Sequence, residues 1–143
     1  MTALRRVCVF CGSSRGTPAV YREAAEGLAR TMVTRGIGLV FGGGGVGLMG
    51  VLADAVLATF EEFCEAVTWT QLGLHRKRCG LLNAAGFYDP LLALFDRAVA
   101  DGFLRAANRS LVADDTDPAV LLDKLSLPLS PPEPKWIRTT EET

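Results

Sequence analysis

The chain has 143 residues, 49% hydrophobic and 22% charged, with a formal net charge of -1 and 15 glycines. That length fits one domain with a real core, and the composition is that of a soluble globular protein. No basic block or basic amphipathic helix offers a surface to nucleic acid or membrane, and no apolar run reaches signal-peptide or transmembrane length, so the expected compartment is the cytoplasm.

Arg6-Val7-Cys8-Val9-Phe10 reads as a first buried strand. Cys11-Gly12-Ser13-Ser14 is the loop at its carboxyl end, where a doubly wound sheet binds ligands. Thr17 as N-cap and Pro18 at the first helical position open a helix on which Val20, Ala24, Leu28 and Met32 recur every four residues, and Gly36 ends it. Ile37 to Phe41, short and rich in branched residues, is the second strand.

The strand breaks into Gly42-Gly43-Gly44-Gly45-Val46-Gly47. Glycines let a backbone turn tightly and bring amide groups close to a ligand, and the helix start that follows adds a partial positive charge, a combination that binds phosphate. The turn lacks the Lys-Ser/Thr ending of a P-loop, and it is not a GxGxxG dinucleotide fingerprint. As a bare pattern it equally describes a close-packed strand-to-helix turn.

From Leu48 to Leu72 no proline interrupts the chain and no glycine follows Gly50, so the pattern predicts one helix of more than twenty residues, about twice the mean length. Gly73 stops it, and His75-Arg76-Lys77-Arg78 forms a basic turn, with both arginines expected in solvent. Cys79 to Asn83 is the third strand, followed by a turn at Ala84, Ala85 and Gly86. Asp89 as cap and Pro90 as first residue begin a helix through Leu91, Leu92, Phe95, Ala98 and Val99, closed by Gly102. Leu111 to Ala113 is a fourth, edge strand, and Asp117-Pro118 starts a short helix through Leu121, Leu122 and Leu125. Strand-helix alternation of this kind is the signature of a parallel α/β sheet. Residues 1–125 form the expected domain, and the proline-bearing stretch 126–143 a disordered tail. The four cysteines, Cys8, Cys11, Cys64 and Cys79, read as buried thiols rather than metal ligands.

Four groups of residues resemble the Lonely Guy family, cytokinin riboside 5'-monophosphate phosphoribohydrolases often labelled lysine decarboxylase-like. They are Val9 to Ser14; Phe41 to Gly44 with Gly47 to Gly50; Thr68 to Gly73 with His75 and Lys77; and Leu81 to Asn83 through Gly86 to Asp89 and on to Gly102-Phe103. The resemblance implies a Rossmann-like homodimer that cleaves the N-glycosidic bond of a nucleoside 5'-monophosphate, releasing free base and ribose 5-phosphate, without cofactor or metal. It assigns substrate and phosphate contacts to Gly12, Ser13, Gly43, Gly44, Gly45, Gly47, Met49 and Thr59. Glu62 becomes the catalytic carboxylate that stabilises an oxocarbenium-like ribose. Read from local pattern alone, Glu62 is a solvated helix residue beside Glu61 and Glu65, Ser13 and Thr59 serve equally as capping or turn groups or as phosphate or ribose contacts, and His75 is a surface or interface residue.

The chain departs from the family pattern in one place. Of the motif Pro-Gly-Gly-x-Gly-Thr-x-x-Glu only Thr59 to Glu62 remains, and the Met-His-Glu-Arg-Lys segment that carries a catalytic arginine is absent. A βαβ-sized block is therefore missing between Ala58 and Thr59. In a strand order of 3-2-1-4-5-6 that block holds the third strand and the fourth, which belongs beside the first. Either the sheet has a gap, or Cys79 to Asn83 slides in beside Arg6 to Phe10. Turnover is expected to be impaired; the alternative is a non-catalytic nucleotide-binding or dimerisation module.

Overall fold

The computed structural model describes residues 4–10, 18–40 and 63–129. In chain order the elements are β1 (Arg6–Cys8), α1 (Ala19–Thr34), β2 (Gly38–Val40), α2 (63–71), β3 (Cys79–Leu82), α3 (Asp89–Ala100), α4 (Ala106–Arg109), β4 (Val112–Asp115) and α5 (Pro118–Ser126). A 3-10 turn at Ala84–Gly86 joins β3 to α3. The expected glycine-rich turn, most of the long helix up to residue 62 and the tail from residue 130 lie outside the described residues.

All observed strand pairs are parallel. β1 pairs with β2, Val7 opposite Leu39, and β3 pairs with β4, Leu81 opposite Asp114. Among the described residues these are two separate two-stranded sheets. The first of the two expected arrangements is thus the one found: β3 keeps β4 as its partner instead of moving beside β1. The architecture is α/β and Rossmann-like, and among the described residues its strands stand in two separate parallel pairs.

The two halves share one apolar cluster on one side. Met32 of α1, Ile37 and Leu122 of α5 are its buried members, with Leu4, Val7, Val9, Leu28 and Leu125 packed around them. Leu122 is only 1% exposed, and burying such a side chain stabilises by about 1.5–3 kcal/mol. A Cβ added at Gly27 of α1 would lie 3.5 Å from the ring of Pro118, so the helices run close together there. Gly80 gives α5 similar access to β3, since a Cβ there would meet Leu125 at 3.0 Å and Leu121 at 3.2 Å.

Several expectations need correction. The inward face of α1 starts at Tyr21 rather than Val20, which is exposed. Cys8 is exposed, because it lies on the side of β1 opposite the packed Val7 and Val9. The short helix α4 has too few residues to show a period and escapes sequence reading. Arg78 is not simply solvated: its guanidinium donates to the carbonyls of Leu127, Ser110 and Pro128 at 3.0, 3.0 and 3.1 Å, and Arg76 donates to Leu129.

Candidate functional site

Parallel strands place all their carboxyl ends at one side, and the loops gathered there form the usual ligand crevice. Gly12, Ser13, Gly43, Gly44, Gly45, Gly47, Met49, Thr59 and Glu62, the residues expected to bind and cleave substrate, all lie outside the described residues. The parts of this crevice that can be described are the turn after β3, from Asn83 to Asp89, and the end of β4 at Asp115.

Asn83 continues β3 by donating its backbone N–H to Asp115 O at 2.8 Å. Its side chain is 7% exposed and used in both directions. Nδ2 donates to Asp89 Oδ1 at 2.7 Å, and Oδ1 accepts the backbone N–H of Tyr88 at 2.8 Å. A buried amide without partners would cost about 1–3 kcal/mol, so this closure is a strong local constraint. Within the loop it ties, Ala85 and Gly86 have φ of +52° and +71°, a region costly for a residue with a Cβ such as Ala85. Asp89 does not cap α3 as expected; the N-cap position is Tyr88, without a side-chain bond, and the carboxylate serves Asn83 instead.

The turn displays Phe87, which is 56% exposed. Tyr21, in the first turn of α1, meets it edge-on at 5.8 Å and 80°, and Tyr88 does so at 5.0 Å and 90°. The Tyr21–Phe87 contact ties the start of α1 to the end of β3 at this side of the sheets. Sequence reading did not single out Tyr21, although its spacing to Ala24 and Leu28 is the signal that could have found it.

At the end of β4, Asp115 lies below the ordinary carboxylate range because Lys124 donates to it and the backbone N–H of Asp117 adds a second bond. Lys124 Nζ lies 2.8 Å from Asp115 Oδ2 and 2.6 Å from Asp114 O, so this cation is engaged within the fold. His75 and Lys77 sit before β3, at its amino end and away from the crevice. There the buried Thr70 Oγ1 lies 2.9 Å from Lys77 O and 3.2 Å from His75 Nδ1, which fixes the entry into β3. Burial pushes the Cys79 thiol up, partly offset by a bond from Thr70, and burial also raises Cys64. Among the described residues no helix is long and apolar enough to cross a membrane.

Comparison with known proteins gives consistent matches. A family model described as possible lysine decarboxylase matches residues 25–125. A probable cytokinin riboside 5'-monophosphate phosphoribohydrolase of Oryza sativa subsp. japonica is 36% identical over 174 residues, covering 84% of this chain and 78% of that protein. A cytokinin riboside 5'-monophosphate phosphoribohydrolase of Arabidopsis thaliana is 36% identical over 175 residues, covering 85% and 82%. Both alignments are longer than the 143-residue chain, so each relative carries residues inside the matched stretch that have no counterpart here. With the family model spanning most of its length and relatives above one-third identity over four-fifths of it, the chain belongs to the Lonely Guy family.

Proposed function

We propose that this chain binds nucleoside 5'-monophosphates across the carboxyl ends of its parallel strands and hydrolyses their N-glycosidic bond. Water adds at the anomeric carbon, the carbon–nitrogen bond breaks, and the base leaves with a proton, giving free base and ribose 5-phosphate. The observation that carries this reading is the match over residues 25–125 to a family whose curated relatives bear that activity in their names. Gly43, Gly44, Gly45, Gly47 and Met49, with Gly12, Ser13 and Thr59, hold the phosphate and sugar through amides and hydroxyls. Glu62 stabilises the positive charge that grows on the ribose. The chain works as a cytoplasmic homodimer, with one domain over residues 1–125 and a tail from 126 to 143.

Turnover is slower than in the longer relatives, because the arginine-bearing segment is absent and half of the second phosphate loop with it. The divided sheet supports a second reading, a nucleotide-binding module without catalysis. Purified chain incubated with adenosine monophosphate or isopentenyladenosine monophosphate separates them. Free base that disappears in Glu62→Ala supports hydrolysis; tight binding of either nucleotide with no base released supports the module.

A further inference from the structure

We infer that Phe87 is the surface on which the nucleotide's base stacks, with the Asn83–Asp89 turn and Tyr21 holding its ring in place; this rests on the nucleoside monophosphate reading above. The turn follows β3, and the Tyr21–Phe87 contact sets it beside the start of α1, the helix that follows β1. Phe87 is a large apolar side chain left 56% exposed, yet it is not loosely placed. Two aromatic rings contact it edge-on, at 80° and 90°, and neither lies parallel to it, so among the described residues the flat stacking mode is unused. The backbone beneath it is held by the buried Asn83 amide, bonded to Asp89 and to the Tyr88 N–H, across two consecutive residues at positive φ. A ring displayed on so constrained a turn loses little freedom when a ligand settles on it.

The chemistry of Phe87 also sets what it recognises. A phenyl ring reads the π-face of a base and none of its hydrogen-bonding edges, so it accepts different bases and tolerates a substituent on the exocyclic amine. Stacking of this kind acts alike on bound substrate and on the transition state, so it belongs in KM rather than in kcat.

The test is calorimetric titration of the wild-type chain, Phe87→Ala, Phe87→Leu and Phe87→Tyr with adenosine monophosphate and, separately, with ribose 5-phosphate, which has no base. Phe87→Ala and Phe87→Leu are expected to lose about five- to one-hundred-fold in affinity for adenosine monophosphate while binding ribose 5-phosphate as the wild type does, and Phe87→Tyr to keep both. Unchanged affinity for adenosine monophosphate in Phe87→Leu overturns the inference, and so does an equal loss for both ligands, which marks a structural role. Wild-type chain that binds neither ligand instead overturns the nucleotide reading on which the inference stands.

Discussion

Gly36 and Gly86 both sit at positive φ, +65° and +71°, yet they make different demands on a side chain. Nothing lies within 4 Å of a Cβ built at Gly36, whereas one built at Gly86 comes within 2.6 Å of Asp89 Oδ2. Gly36→Ala therefore meets only the left-handed backbone cost, about 1–2 kcal/mol. Gly86→Ala adds a clash that pulls Asp89 away from Asn83, about 1 kcal/mol or more beyond the first. Urea unfolding of the two variants checks the order, and equal midpoints would mean that Asp89 moves without loss. The helix-ending glycines Gly36, Gly73 and Gly102 were legible in the sequence because a positive φ after a helix admits little else. The two Asp-Pro pairs show where such reading stops. Asp117 caps α5, accepting from Ala119 N at 2.7 Å and Val120 N at 3.1 Å. Asp89, with the same neighbour, bonds instead to Asn83 six residues earlier, a competitor that no local pattern contains.

At the scale of elements, apolar spacing located the helices because each has one face to bury. On α1 that face runs through Tyr21, Ala24, Leu28 and Met32, and it meets α5 as well as β1. The strands were legible from composition, but their ends were not: the ladder stops at Cys8 and Val40, although the branched and aromatic residues run on. Leu122 is the point at which these elements depend on one another, as the most buried side chain among the described residues and a member of the cluster that includes Met32 and Ile37. Leu122→Ala is expected to cost about 2–5 kcal/mol, a large part of the stability of a domain this size. Its loss should loosen both sheets together, since Val7 and Val9 of the first half pack against the same cluster as Leu125 of α5. Amide exchange in both halves that rises in parallel would show this; exchange rising only in β3 and β4 would show that the halves unfold independently.

For the molecule as a whole, the departure from the family's motif order was readable in the sequence, and among the described residues the strands fall into two separate sheets. Successive peptide groups along a strand point to opposite sides, so each strand has one side to offer a partner and one left over. In β1 and the residue after it, the paired side is fixed by the Val9 N–H, which donates to Val40 O at 3.1 Å. In β3 it is fixed by Cys79 N–H donating to Leu111 O at 3.3 Å and Asn83 N–H to Asp115 O at 2.8 Å. By alternation the amides of Cys8, Gly80 and Leu82 face the other way, toward the place a central strand would fill. With no ladder there among the described residues, they should exchange with solvent on the order of tenfold or more faster than those of Val9, Leu81 and Asn83, since exchange follows the free energy of opening each bond. The measurement is residue-resolved hydrogen exchange on the whole chain. Matching protection at Cys8, Gly80 and Leu82 would mean that another segment or a second copy of the chain bridges the two halves, and the proposal of slow turnover would then rest on the absent arginine alone. Rapid exchange at all three would tie the slow turnover proposed above to the missing block, because the segment that the family resemblance places between β1 and β3 also carries the start of the second phosphate loop.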